Sequence, residues 1–264
     1  LAWAAKPRTA LVTAPTFAEY AAALESAGCA VRRHFLQAEV DFAVTDSILS
    51  SITPEVDMVF LCQPNNPTGQ LTPLPLVERI LRRCEACGAL LVVDECFLDF
   101  LPDCDTLTAK ALLDSKNLLI LKAFTKLYGM AGVRLGYCLC ANTALLEAMQ
   151  AAGQPWAVSS LAQAAGLAAL DETAYVAQVR VLIAQQRPRL TAGLRALGLR
   201  VLDGRANYLL FQGPETLGDA LRPRGIVLRS CSNYPGLDGS WYRTAVRTGP
   251  ENDELLKTLA EVLA

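Results

Sequence analysis

Short, nearly continuous apolar runs recur along the first part of the chain, each followed by a polar turn. Five such runs occupy residues 9–13, 58–62, 89–93, 118–121 and 135–139. Between them, residues 17–28 and 74–87 space their apolar side chains as a helix does. Continuous apolar strands that alternate with helices are typical of a parallel sheet covered on both faces. The pattern therefore predicts an α/β fold with a mostly parallel central sheet and helices on both faces.

The pattern changes after residue 155. Residues 157–197 predict long amphipathic helix that breaks near Asp171 and ends at Gly198. Short strand candidates follow at residues 199–202, 208–211, 226–229 and 242–246. Together with a closing helix from Glu251, they predict a smaller C-terminal α+β unit with antiparallel strands. We expect a large domain over residues 1–156 and a small domain over residues 157–264.

Composition and charge narrow the classes of function. The 264 residues are 52% hydrophobic and 19% charged, which excludes a disordered, collagen-like or coiled-coil protein. Lys and Arg number 24 against 26 Asp and Glu, so the net charge of −2 offers no basic surface for nucleic acid or a membrane. The chain has no run of about 18 apolar residues that would predict a membrane span. The expected partners are small molecules or protein.

Cysteine and histidine form no metal or disulfide pattern. The nine cysteines are dispersed and are interpreted as reduced, mostly buried thiols of a cytoplasmic protein. Cys84 and Cys87 have the spacing of a redox or zinc pair, but they lie in a predicted helix without a second pair. His34 is the only histidine and is expected at the surface, near the end of an early strand. We expect no metal site and no histidine-based triad.

Polar residues follow several predicted strands at the positions where open α/β sheets bind ligands. Asn66 lies between two prolines in the turn 63–69, Asp94 ends an apolar strand, and Lys126 lies in a loop shortly before Arg134. A lysine that is buried with a lowered pKa can condense with a carbonyl group. A buried aspartate needs a cationic partner, which a ligand can supply. Each feature alone also fits an ordinary turn, a capping or salt-bridged carboxylate, or a solvated lysine.

Taken together, these motifs resemble the class I/II aminotransferase family of fold-type I enzymes, which use pyridoxal 5′-phosphate (PLP). The resemblance implies that Lys126 is the catalytic residue and holds the cofactor covalently, and that Asp94 pairs with the ring nitrogen. The other cofactor-binding residues that it implies are Phe17 on the ring face, Asn66 at the ring oxygen, and Thr125 with Arg134 at the phosphate.

The sequence departs from the family pattern at two points. Phe97 stands three residues after the ring aspartate, where many relatives have a tyrosine that contacts the ring oxygen. The family also carries a glycine-rich loop at a helix N-terminus that binds the cofactor phosphate, and this sequence begins after that loop. Residues 1–7 lack the features of a targeting peptide and predict the end of a helix whose beginning is missing. The resemblance thus implies an incomplete N-terminal part.

Within the family, the sequence is most similar to the histidinol-phosphate aminotransferase branch, and there to the threonine-phosphate decarboxylases. This similarity is carried by residues 17–20, 154–156, 204–210, 228–238 and 242–247. Arg229, Arg243 and Arg247 lie on two predicted strands, and Arg243 and Arg247 are expected to share one face. Guanidinium groups bind both carboxylate and phosphate, although solvated surface arginines are the alternative. The resemblance assigns the substrate carboxylate to Arg243, and we expect the phosphate at Arg229 with Arg247 in support.

The resemblance implies decarboxylation of L-threonine O-3-phosphate to 1-aminopropan-2-ol phosphate, a step of cobalamin biosynthesis. The residues alone do not distinguish this reaction from amino transfer, so an aminotransferase of histidinol-phosphate type stays open. A third hypothesis is a non-catalytic, aminotransferase-like ligand-binding domain, for which we would expect an appended DNA-binding segment. The resemblance also implies a homodimer with its sites at the subunit interface.

Overall fold

The computed structural model describes all 264 residues, which form two separate β-sheets. The strands are Thr9–Ala14 (β1), Ala30–Phe35 (β2), Met58–Cys62 (β3), Leu90–Asp94 (β4), Leu118–Ala123 (β5), Gly136–Cys140 (β6), Arg200–Val201 (β7), Tyr208–Gln212 (β8), Arg229–Ser230 (β9) and Trp241–Ala245 (β10).

Ten α-helices and five short 3-10 helices connect these strands. The α-helices are Ala2–Ala5 (α1), Glu19–Ser26 (α2), Ile48–Ser51 (α3), Leu74–Cys87 (α4), Cys104–Leu107 (α5), Thr143–Ala152 (α6), Ser160–Asp171 (α7), Thr173–Ala196 (α8), Leu217–Leu221 (α9) and Gly249–Leu263 (α10). The 3-10 helices are Ala38–Val40, Leu98–Phe100, Ala109–Leu112, Ala131–Val133 and Arg222–Arg224. No helix combines the length and apolar character needed to cross a membrane.

The first six strands form one sheet in the order β2-β1-β3-β4-β5-β6. Strands β1 to β5 are parallel, so their carboxyl ends lie at one edge, whereas β6 runs antiparallel to β5. Successive side chains of a strand point to opposite faces. Val59 and Leu61 accordingly pack in one core, and Met58 and Phe60 pack in the core on the other face. The predicted α/β architecture, with both faces of the sheet covered, is confirmed.

The C-terminal strands form a second, antiparallel sheet in the order β7-β8-β10-β9. Its core contains Leu209 and Phe211 of β8, and it packs against α8, α9 and α10. The predicted helix break near Asp171 is confirmed, because Glu172 separates α7 from α8. The strand predicted over residues 226–229 is reduced to β9, whose hydrogen bonds begin at Arg229. The domain boundary after residue 156 stays a prediction.

A close backbone contact joins the two sheets. A Cβ on Gly204, just before β8, would lie 2.7 Å from the backbone of Thr68 and Gly69 in the turn after β3. The Arg205 amide donates to the Gly69 carbonyl at 2.6 Å, and the Tyr208 hydroxyl donates to the Asn65 carbonyl at 2.9 Å. Because only glycine permits this approach, residue 204 fixes the C-terminal sheet against the ligand-binding edge of the first sheet.

Candidate active site

The carboxyl edge of the large sheet carries a cavity of ≈ 390 Å³. Parallel pairing places Cys62, at the end of β3, beside Asp94, at the end of β4. Because β6 is antiparallel, its first residue, Gly136, pairs with the last residue of β5, Ala123, at the same edge. The lining residues are Phe17, Tyr20, Cys62, Asn66, Asp94, Cys96, Phe97, Ala123, Thr125, Lys126, Arg134, Leu135 and Gly136. All six residues predicted to bind the cofactor are therefore brought together here.

Asp94 is a buried carboxylate with hydrogen-bond donors but no ion-pair partner. The Tyr20 hydroxyl donates to its Oδ2 at 2.5 Å, and the Cys96 backbone amide donates to its Oδ1 at 3.0 Å. Burial and the nearby Asp94 charge raise the pKa of the Cys62 thiol to about 12, so this thiol stays protonated. A buried carboxylate without a counter-ion is costly. The cavity therefore suits a ligand that brings a cationic N–H group.

The two asparagines in the turn after β3 have different surroundings. Asn65 is structural: its side chain accepts from the Thr16 hydroxyl at 2.7 Å and donates to the Pro15 carbonyl at 3.0 Å. The Oδ1 of Asn66 accepts from a guanidinium N–H of Arg243 and from the Tyr234 hydroxyl. This arrangement fixes the amide orientation and leaves the Asn66 Nδ2 group available as a donor in the cavity.

The loop between β5 and β6 carries Lys126. Its ammonium group lies 5.5 Å from the centroid of the Phe97 ring, and the Tyr175 hydroxyl of α8 donates to the Leu127 carbonyl at 3.0 Å. Lys126 is exposed where the cavity opens. Arg134, also exposed, has a left-handed backbone with φ of 60°.

The buried lysine of this region is Lys122, within β5. Its ammonium group lies 2.6 Å from the Asp99 carboxylate and 3.4 Å from the fully buried Glu95 carboxylate. Burial alone would lower its pKa, but these two carboxylates raise the pKa of Lys122 above its ordinary value. Lys122 therefore stays protonated and is unsuited to act as a nucleophile, which leaves Lys126 as the lysine for that chemistry.

A second cavity, of ≈ 460 Å³, adjoins the first at Phe97 and Lys126. It is lined by Phe97, Lys126, Asn207, Tyr208, Val227, Arg229, Arg243, Thr244, Ala245 and Arg247. Four of these side chains are cationic and none is acidic. This charge distribution favours a small ligand that carries more than one negative charge.

The three arginines of the second cavity are held differently. Arg243 lies 5.0 Å from the Tyr208 ring centroid and contacts Asn66, whereas Arg229 donates to the Asn233 side chain at 3.0 Å. The prediction that Arg243 and Arg247 share a strand face is wrong, because β10 ends at Ala245. Arg247 instead lies just before α10 and forms an exposed ion pair with Glu251 at 3.1 Å.

Some residues near the site were not predicted from the sequence. Tyr20 lines the first cavity and binds Asp94, and Tyr234 binds Asn66. The available signal for Tyr20 was its position three residues after Phe17, which directly precedes the cap of α2. Tyr234 had no comparable signal, because its contact with Asn66 spans 168 positions of the chain.

Two of the remaining expectations are settled by the structure. All nine cysteines are free, five of them buried and four half-buried, and Cys84 and Cys87 lie in α4 as predicted. His34 is half-buried rather than on the surface, and its Nδ1 lies 2.9 Å from the Ser51 hydroxyl. No three His, Cys, Asp or Glu side chains in the structure are close enough together to hold a metal ion.

The residues of the first cavity fit PLP. The uncompensated Asp94 carboxylate suits a protonated ring nitrogen, the Nδ2 of Asn66 is a free donor for a ring oxygen, and Lys126 is a primary amine at the cavity wall. The fold and this site define a PLP-dependent enzyme of fold type I. The chain belongs to the family "Aminotransferase class I and II", whose sequence profile matches residues 1–260. Its cofactor is PLP.

Individual relatives divide between two reactions. The chain is 40% identical to the threonine-phosphate decarboxylase of Salmonella typhimurium, over 98% of this chain and 72% of that protein. It is 32% identical to the histidinol-phosphate aminotransferase of Methanococcoides burtonii, over 96% of this chain and 68% of that protein. The crystal structure of the histidinol-phosphate aminotransferase from Clostridium acetobutylicum superposes with a TM-score of 0.93 and 27% identity, over 99% of this chain and 80% of that chain.

Proposed function

We propose that this protein decarboxylates L-threonine O-3-phosphate to 1-aminopropan-2-ol phosphate. The observation that carries the proposal is the second cavity, in which three arginines adjoin Lys126 and no acidic side chain is among the lining residues. Threonine phosphate carries a carboxylate and a phosphate, and guanidinium groups bind both. The 40% identity to a threonine-phosphate decarboxylase supports the same reaction.

Six residues of the first cavity are proposed to hold the cofactor. Asp94 pairs with the ring nitrogen, and Asn66 donates to the ring oxygen through Nδ2. The residues proposed for the remaining contacts are Phe17 on the ring face, Thr125 and Arg134 at the phosphate, and Lys126 for the covalent attachment. Bound PLP supplies an electron sink for a bond that breaks at the α-carbon of the substrate.

The arginines of the second cavity are proposed to orient the substrate. Arg243 binds the carboxylate, because its side chain lies over Tyr208 and is fixed by Asn66. Arg229 binds the phosphate at the open side of the cavity, and Arg247 adds positive charge there. Two anionic groups held at separate points fix the rotation of the α-carbon and therefore which of its bonds breaks.

Lys126 supplies the proton that completes the reaction. When the bond between the α-carbon and the carboxylate breaks, its electron pair stays with the α-carbon and carbon dioxide leaves. A proton from the Lys126 ammonium group then replaces the carboxylate, so one proton is consumed for each carbon dioxide released. Lys126 lines both cavities, so its side chain is placed for this transfer.

Amino transfer on a phosphorylated substrate is the second candidate. It is favoured by the 32% identity to a histidinol-phosphate aminotransferase and by the fold match at a TM-score of 0.93. The two reactions differ in stoichiometry: decarboxylation needs no second substrate, whereas amino transfer needs a keto acid to accept the amino group.

The decisive experiment incubates the protein with PLP and L-threonine O-3-phosphate, with and without 2-oxoglutarate. We expect carbon dioxide and 1-aminopropan-2-ol phosphate, in equal amounts, without 2-oxoglutarate. A parallel incubation contains histidinol phosphate and 2-oxoglutarate in place of threonine phosphate. Glutamate formation from histidinol phosphate, with no carbon dioxide from threonine phosphate, would establish the aminotransferase instead. If neither product forms although PLP is bound, the result would support a non-catalytic ligand-binding domain.

We further propose that the protein is a homodimer. Large apolar side chains are exposed around α7, where Leu161 is 80% and Leu167 is 69% exposed, and Trp156 before it is 96% exposed. Exposed apolar surface of this kind is typical of a protein interface. Light scattering coupled to gel filtration measures the mass directly, and a monomeric mass at micromolar concentration would refute the proposal.

A further inference from the structure

Tyr20 is the one side chain that donates a hydrogen bond to Asp94, and it is not among the residues proposed to contact the cofactor. Tyr20 lies in the first turn of α2. Its ring stacks on the Phe60 ring with centroids 4.9 Å apart and contacts the Phe17 ring edge-on with centroids 5.5 Å apart. These two ring contacts fix the phenol plane. Its hydroxyl is thereby held 2.5 Å from the Asp94 Oδ2 atom.

The direction of this hydrogen bond is defined by the surroundings of the phenol. Burial, with Cys62 and Asp94 close by, raises the pKa of Tyr20 well above its usual value. The hydroxyl therefore keeps its proton over the working range of pH and acts as the donor. Asp94 consequently receives one N–H, from Cys96, and one O–H, from Tyr20, on its two oxygens.

We propose that Tyr20 is a positioning residue for the cofactor: its hydroxyl fixes the orientation of the Asp94 carboxylate in the first cavity. A hydrogen bond in a buried site is electrostatically stronger than in water, so it holds the accepting carboxylate oxygen in place. The proposal rests on the role proposed above for Asp94, because a carboxylate that turns away offers no oxygen to a protonated ring nitrogen.

The other ionisable groups that face Asp94 do not replace this hydrogen bond. Cys62 of β3 and Cys96 after β4 are thiols whose pKa values are raised by burial and by the Asp94 charge, and Tyr208 of β8 is a buried phenol whose pKa is also raised. All three are neutral near pH 7. Lys126 and Arg134, in the loop after β5, are the basic side chains of this cavity, and neither forms an ion pair with Asp94.

The test is the PLP affinity of Tyr20→Phe, measured by the absorbance of bound PLP and by protein fluorescence. Phenylalanine keeps both ring contacts and removes only the hydroxyl. A hydrogen bond to a charged group contributes enough free energy to change a binding constant about tenfold or more. We therefore expect Tyr20→Phe to bind PLP roughly tenfold more weakly than the wild type.

Two controls separate this role from a structural one. Tyr242→Phe removes a buried tyrosyl hydroxyl that donates to the Glu215 carbonyl at 2.7 Å in the C-terminal sheet, and its PLP affinity should match the wild type. In an Asp94→Asn background, Tyr20→Phe should cause no further loss of PLP affinity, whereas a merely structural role would cause the same loss in both backgrounds. An unchanged PLP affinity in Tyr20→Phe, or an equal loss in the Asp94→Asn background, would overturn the inference. If Asp94→Asn alone leaves PLP binding unchanged, the role proposed for Asp94 fails instead.

Discussion

Replacement of Lys122 by methionine is expected to destabilise the protein by about 3–5 kcal/mol. The change leaves the Glu95 carboxylate, which is fully buried, without its cationic partner at 3.4 Å. Glu95 keeps donors from the Thr108 hydroxyl and the Ala109 amide, both at 2.7 Å, but these neutral groups do not cancel its charge. Asp99 is 35% exposed, so the loss of its ion pair adds less than about 1 kcal/mol.

Urea unfolding followed by circular dichroism measures this loss as a difference in the free energy of unfolding. In a thermal melt, the same loss lowers the midpoint by roughly 6–15 °C for a chain of this size. Methionine preserves most of the apolar stem of Lys122, so the change in packing is small. Lys110→Met, at an exposed lysine, is the matched control and should change the free energy of unfolding by less than about 0.5 kcal/mol.

The double variant Lys122→Met with Glu95→Gln removes the uncompensated charge and should recover most of the lost stability. A loss below about 1 kcal/mol in Lys122→Met would refute the reasoning, because the buried carboxylate would then not depend on the lysine. No recovery in the double variant would also refute it, since the loss would then arise from packing.

Four further outcomes follow from the same structure. Lys126→Ala should abolish both the visible absorption of lysine-bound PLP and turnover, and a retained band would show that another amine holds the cofactor. Arg243→Ala should raise the KM for threonine phosphate at least about tenfold and weaken PLP binding much less, whereas equal losses would make this arginine structural. Gly136→Ala places a Cβ 2.9 Å from the Lys122 carbonyl oxygen and should cost about 1–3 kcal/mol in a urea melt. Because the folded-state pKa of Lys122 is raised, the stability difference between wild type and Lys122→Met should shrink as the pH rises above about 10.

Residues next to strands were predictable because local pattern determines where a strand ends. Asp94 follows an apolar run in the sequence and stands at the end of β4 in the structure, and Asn66 follows β3 in the same way. The position of Arg247 was not predictable from alternation, because Thr248 and Glu251 form a capping box that begins α10 and separates this arginine from β10.

Contacts between distant parts of the chain account for most of what sequence analysis missed. The apolar run of β6 is equally compatible with either strand direction, and the short connection from β5 without a crossover helix was the available signal for the antiparallel one. The hydrogen bond from Tyr20 to Asp94 joins residues 74 positions apart in the chain. Periodicity along the chain carries no information on contacts between such distant segments.

The contact between Arg243 and Asn66 has a thermodynamic consequence for the order in which ligands bind. The amide oxygen of Asn66 holds Arg243 of the second cavity, while the same asparagine lines the first cavity. Any ligand that reorients Arg243 therefore changes the free energy of Asn66, and any ligand that engages Asn66 changes that of Arg243. Because such coupling is reciprocal, substrate must alter the affinity for cofactor by the same factor by which cofactor alters the affinity for substrate.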